Sequence, residues 1–287
     1  MTPSYEVKTL FDQGSAKYAE DKFINSAPFF GVLDGFSEPY LTNVGPKMID
    51  GSSSGAALVE SVAKALLSAL PHEGLLEVLK KANSAVSQTA LQRGLDINSA
   101  DQLPGTAFAF AKLGDEKIEI VQGGDCFAVW LKGNGEMGAT ANQNYLLEKK
   151  QLGVLQTVLK KYQGDREAAW QEYLPSVVQA RREHTNAPIK EQYVALNGQP
   201  ASEQFWNSFS VHRKGIDLLL LFTDGLVKFD ESEQPEQIAR NAIELYKKGG
   251  LSALLENTRT LEARQDEQLR HTRAAEAAAV AIEFKNI

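Results

Sequence analysis

The stretch FFGVLDG, residues 29–35, decides the fold. Its residues Phe29 to Leu33 form a nearly continuous apolar run, which suits a strand covered on both faces, and the run stops at Asp34-Gly35. The same punctuation recurs twice. Ile118 to Gln122 run into Gly123-Gly124-Asp125, and LLLLFT at 218–223 runs into Asp224-Gly225. A carboxylate at the end of a buried strand carries a large desolvation cost unless something cationic receives it. Buried strands that deliver carboxylates to one place are the expectation, with a divalent metal as the recipient. Taken alone, an Asp-Gly pair is more often a turn than a ligand.

Outward from these runs, the chain has 287 residues, 43% of them hydrophobic, enough to bury a sizeable core. A formal net charge of -7 with no basic stripe argues against nucleic acid as a partner. Cys126 is the only cysteine, and no apolar run approaches the roughly 20 residues needed to span a bilayer. MTPSYEVKTLF lacks a signal-peptide core. No membrane association and a reducing, cytoplasmic location are expected. The composition says nothing of oligomeric state.

Hydroxyls of Ser52 to Ser54 are placed to cap a helix in which Val59, Val62, Ala63, Leu66 and Leu70 recur at helical spacing until Pro71. GSSSG at 51–55 lacks the lysine and spacing of a phosphate-binding loop, so a helix start is the better reading. A second helix carries Leu75, Leu79, Ala82, Val86 and Ala90. From 106 to 132 alternating apolar residues and glycine punctuation predict a β-meander. Residues 143–191 turn polar and helical, an excursion between two sets of strands. Strands resume with IDLLLLFTDG, helices follow over 235–248 and 252–269, and AAAVAIEF at 277–284 closes the sheet. Pattern alone gives an α+β fold with helices outside sheets. His72, His184, His212 and His271 show no metal-ligand spacing. Trp130, Trp170 and Trp206 read as packing residues.

FFGVLDG, GTAFAFAKL (105–113), GGDCFAVWL (123–131), LLLLFTDGLV (218–227) and AAAVAIEF occur in the order found in the metal-dependent protein phosphatases. From about Gly14 to Phe284 the chain resembles this type 2C Ser/Thr phosphatase family, most closely at VLDG and FTDG. The resemblance implies a single domain over 1–287, a four-layer α/β/β/α sandwich of two antiparallel sheets flanked by helix pairs, with 143–191 as a flap beside the site. It implies hydrolysis of phosphoserine or phosphothreonine in a phosphorylated protein substrate, by direct attack of hydroxide bridging two divalent ions. Mg²⁺ or Mn²⁺ suits carboxylate and carbonyl ligands.

By resemblance, Asp34 bridges both metals, Gly35 gives its carbonyl to one, and Asp224 binds the second. Asp21 in YAEDKF (18–23) matches the N-terminal acidic position, with Glu20 ligating through water. Asp125 matches the position that holds a third ion in some members. The alternatives are solvated surface charges for Glu20 and Asp21, and a shaped turn for Asp125.

Departures from the family are equally specific. Many members follow Asp-Gly with a histidine that can act as general acid, whereas Phe36 stands here and cannot donate a proton. The family's phosphate-binding arginine is absent, and Lys17 is the nearest cation, with a surface lysine as the simpler reading. Where the family carries an aspartate before the last strand, this chain has Ala275 followed by Glu276. Either Glu276 takes over, or the protein is a catalytically dead binding or regulatory module, or an aspartate has been replaced at 275. The otherwise intact acidic set favours an active parent enzyme with one ligand missing. Strand alternation predicts that the Glu276 side chain points away from the metals.

Overall fold

The computed structural model describes residues 5–41, 43–227, 234–264 and 274–285. One antiparallel sheet contains β2 (Asp21–Ser26), β3 (Phe29–Phe36), β6 (Gly105–Leu113), β7 (Lys117–Gly123) and β10 (Asn207–His212), in the order β10-β7-β6-β3-β2. The other contains β1 (Tyr5–Asp12), β8 (Phe127–Lys132), β9 (Met137–Ala139), β11 (Ile216–Phe222) and β12 (Ala277–Phe284), in the order β1-β12-β11-β8-β9. A small hairpin of β4 (Met48–Ile49) and β5 (Ser52–Ser53) leads into α1 (Ser54–Leu67) and α2 (Leu75–Gln92). Ser53 caps α1, its Oγ accepting from the Ala56 amide at 3.3 Å.

Strand alternation divides the core into three apolar layers. Phe29 and Leu33 face α1 and α2, packing with Val62, Leu66, Leu79 and Phe108. Phe30 and Val32 face the second sheet, packing with Ala109, Leu219, Leu221, Val280 and Ile282. On the far side, Leu218, Leu220, Phe222 and the alternate alanines of β12 pack against α5 (Pro235–Arg264). α5 is broken at Gly249 and Gly250, whose backbone is not helical, so it covers the sheet as two segments. Strands buried on both faces require apolar residues at every position, hence the continuous runs in the sequence.

The predicted meander is corrected at its second turn. β6 and β7 pair, but β8 belongs to the opposite sheet. Gly124, at a φ of 84°, lets the chain turn across the sandwich where side-chain alternation alone reads as another hairpin. The excursion holds α3 (Tyr145–Lys161) and α4 (Arg166–His184), which share a small cluster of Val158, Leu159 and Ala169. The part of the predicted 252–269 helix beyond Arg264, and His271, lie outside the described residues. Among the described residues no helix is long and apolar enough to cross a membrane.

Candidate metal centre

Asp34 follows Phe30 and Val32 on the face of β3 that looks into the inter-sheet layer, so the strand period aims its carboxylate between the sheets. Asp21 is its register partner on β2. Like charges directly opposite on neighbouring strands repel. From the facing sheet, Leu219 and Leu221 are followed two residues on by Thr223. Its Oγ1 donates to Asp21 Oδ2 at 2.7 Å and accepts from the Ala278 amide at 3.0 Å. Asp224 then opens the short turn Asp224–Leu226. Asp125 enters from the crossing between β7 and β8, and carboxylate oxygens of Asp34 and Asp125 lie with Cys126 Sγ within 4.8 Å of one another.

Two glycines permit this convergence. A Cβ on Gly35 would come within 2.6 Å of the Glu20 carbonyl oxygen and of Val59 Cγ2, and one on Gly225 within 1.7 Å of the Glu276 carbonyl oxygen. Gly35 donates its amide to the Glu20 carbonyl at 3.1 Å. Its partner on β6, Thr106, turns its own amide and carbonyl to Leu196. The Gly35 carbonyl is therefore not taken by Thr106.

Burial, and then the charges of Asp21, Asp224 and Asp125, push Asp34 well above the usual carboxylate range. Asp21, only 8% exposed, is likewise raised well above it, by burial first and Glu276 second. Asp224 rises to about 7 through burial and then Asp125, although its side chain is exposed on the cavity wall. It shares a hydrogen bond with Asp34. Among the described residues, no Lys or Arg forms an ion pair with Asp21, Asp34, Asp125 or Asp224. Crowded oxygen donors lacking a protein cation fit a hard divalent ion. Burial and then the surrounding carboxylates push the Cys126 thiol well above its ordinary range.

The remaining expected residues fall around this cluster. Glu20 does not join it: its Oε1 accepts from Ser37 Oγ at 2.6 Å and from Ser53 Oγ at the start of α1. Glu276 departs from expectation, since it does not turn away. It accepts from the Glu20 amide at 3.0 and 3.1 Å, faces the same cavity as Asp34, and sits at about 7 through burial. Strand alternation does not govern it, because β12 begins at Ala277. Ala275 lines the cavity, its carbonyl accepting from Arg259 at 2.6 Å and its amide donating to Glu262 at 2.9 Å. Lys17 lies exposed at the rim, 5.2 Å from the centre of the Tyr18 ring.

Glu148 on α3 is the acid that sequence reasoning missed. Its carboxyl hydrogen-bonds with Asp125, accepts from Asn142 Nδ2 at 3.2 Å, and is raised strongly by burial and then by Asp125. In sequence it is a first-turn helix glutamate, with no feature to separate it from an ordinary solvated partner of the helix dipole. α3 and α4 are tied beside the cluster. Asn144 Oδ1 accepts from the Val194 amide at 2.7 Å, and Trp170 Nε1 donates to the Tyr40 carbonyl at 3.1 Å. A cavity of about 940 Å³ separates these helices from the acidic floor.

No family model matches the chain, and no curated protein matches it. Solved structures do. The catalytic domain of the serine/threonine phosphatase PstP in complex with two manganese ions superposes with a TM-score of 0.57 at 16% identity, covering 98% of this chain and 99% of that one. PppA of Pseudomonas aeruginosa matches at 16% identity and 0.57 over 99% of both chains. Stp1 of Staphylococcus aureus matches at 15% identity and 0.56, over 99% of this chain and 96% of its own. Identities this low establish shared architecture, and the two facing five-stranded antiparallel sheets with helices outside them give this chain the fold of the type 2C metal-dependent Ser/Thr phosphatases.

Proposed function

We propose that the chain is a metal-dependent phosphoserine/phosphothreonine protein phosphatase acting on phosphorylated proteins with Mg²⁺ or Mn²⁺. The observation that carries this reading is the convergence of Asp21, Asp34, Asp125 and Asp224 at one end of the inter-sheet layer with no protein cation paired to them among the described residues. Asp34, Asp224 and the Gly35 carbonyl would hold two ions, with Asp21 beside them, and Asp125 with Glu148 would hold a third. Bound divalent ions supply a nucleophile at neutral pH and charge stabilisation for phosphoryl oxygens. The chain's own residues fix that chemistry in place. Thr223 pins Asp21, and backbone strands hold Asp34 and Gly35, so little reorganisation accompanies reaction. Phe36 offers no proton to a leaving group, so protonation falls to water or is needless for phenolic esters.

α3 and α4 act as a flap that shapes access of the phosphorylated segment, with the whole chain working as one phosphatase domain. The lone buried thiol suits a reducing compartment such as the cytoplasm. Ala275 favours one competing reading, a phosphatase-fold binding module without turnover. Calorimetric Mn²⁺ titration combined with hydrolysis of p-nitrophenyl phosphate and a phosphothreonine peptide separates the two. Mn²⁺-dependent turnover abolished by EDTA supports the enzyme. Tight Mn²⁺ binding without turnover supports the module, and absence of Mn²⁺ binding overturns both metal-based readings.

A further inference from the structure

On the wall of the cavity that the acidic cluster lines, the Arg181 guanidinium is held between two aromatic rings. Its central carbon lies 3.7 Å from the Phe36 ring centroid and 4.2 Å from that of Tyr193. The rings stand 5.4 Å apart at 72°, which fixes the plane of the group without using its N–H donors. Phe36 is two residues beyond Asp34 on the same face of β3, a distance of about 7 Å along a strand. Its ring packs where Gly105 has no side chain: a Cβ there would lie 2.4 Å from Phe36 Cζ.

The neighbouring arginine gives the contrast. Arg182 points outward and is spent on Asp101, through bonds of 3.2 and 2.9 Å. Arg181 faces the cavity that Asp34, Asp125 and Asp224 line, and among the described residues no carboxylate pairs with it. The first arginine in the chain is Arg93, so β1 to β3 bring none to the site. A phosphate monoester reaching metal ions on this floor presents outward oxygens, and a planar guanidinium with unspent donors matches them in bidentate fashion.

We propose that Arg181, seated on Phe36 and carried by α4, binds the phosphoryl oxygens of the substrate. This assignment rests on the phosphatase reading above. It also gives Phe36 a purpose, as a platform for the cation.

The test uses the full chain with saturating Mn²⁺ and inorganic phosphate as the probe, measured by calorimetry and by inhibition of p-nitrophenyl phosphate turnover. Arg181→Ala is expected to weaken phosphate about 10- to 100-fold and to raise KM more than it lowers kcat, as loss of a charged hydrogen-bonding pair does. Arg181→Lys should recover only part of the affinity, and Phe36→Ala should weaken phosphate about tenfold with the arginine still present. Mn²⁺ affinity should change less than about twofold in all three. Unchanged phosphate affinity in Arg181→Ala overturns the proposal and leaves the phosphatase reading standing. So does a loss of Mn²⁺ affinity equal to the loss of phosphate affinity, which would make Arg181 a counter-charge to the acidic floor. Wild-type protein that binds no Mn²⁺ overturns the phosphatase reading, and this one with it.

Discussion

Asp224→Asn should stabilise the metal-free protein at alkaline pH while removing its response to metal. The rise of Asp224 from 3.8 to about 7 corresponds to about 4 kcal/mol of unfavourable ionisation in the folded state. Because Asp224 is exposed on the cavity wall, solvent screening leaves about 1–2 kcal/mol of that. The sign follows from linkage. A carboxyl raised by folding contributes stability that is complete below its unfolded value near 3.8 and is lost as pH climbs through about 7. At about pH 8 in EDTA, the asparagine variant avoids that loss and should melt a few degrees above wild type, at about 2–4 °C per kcal/mol for a chain of this size. At about pH 4 both side chains are neutral and the gap should close. Mn²⁺ at a hundred times its dissociation constant adds about 2.7 kcal/mol to wild type alone and should reverse the order. Circular-dichroism melts at both pH values, with EDTA and with Mn²⁺, read all of these. A variant less stable than wild type at pH 8 in EDTA, or one that gains as much from Mn²⁺, refutes the reasoning.

Restoring a ligand by Ala275→Asp should tighten Mn²⁺ about tenfold or more by calorimetry and raise p-nitrophenyl phosphate turnover in parallel. If neither changes, 275 is not a ligand position. Glu148→Gln should weaken the most loosely held Mn²⁺ about tenfold while leaving the tighter ions in place, and an unchanged affinity for that loosest ion would remove Glu148 from the site. Mn²⁺ affinity should fall as pH drops through about 7, since Asp224 and Glu276 take up protons there and burial raises Asp34 and Asp21 in the same direction. Titrations at about pH 6 and 8 that give equal affinity would contradict the raised carboxyls.

What was legible in the sequence lay on strands buried on both faces. There the apolar run states its own burial, and an aspartate after it is conspicuous, so Asp34, Asp125 and Asp224 stood out and Asp21 followed from family order. Contacts between distant segments were not legible. Glu148 reaches the cluster only because α3 lies across it, and Arg181 reaches the cavity only because α4 runs beside Phe36. Each sits on a polar helix whose pattern is that of a solvated face. The crossing of β7 to β8 between sheets was equally hidden, because residues alternate identically whether the next strand is a neighbour or faces it. Glu276 was misjudged by one position, the point where strand alternation begins.

The alanine at 275 takes a different meaning from its surroundings. In sequence it is a missing ligand. In the fold its backbone is clamped from both sides, the carbonyl by Arg259 and the amide by Glu262. Glu262 is paired with Arg259 at 2.7 Å and still contributes to the upward push on Asp224. Glu276 stands next to it and Glu148 enters from the opposite wall, so the acidic density around the centre exceeds what the family motif supplies. Every carboxyl added to a metal-free cluster raises the cost of ionising the others. Under the proposed metal-dependent reading, a methyl group at 275 would do two opposed things: it would weaken the hold on one cation and relieve the repulsion that cation would neutralise. Which dominates would then depend on how much divalent metal is available, so the reading predicts that position 275 sets a metal threshold rather than acting as an on-off switch.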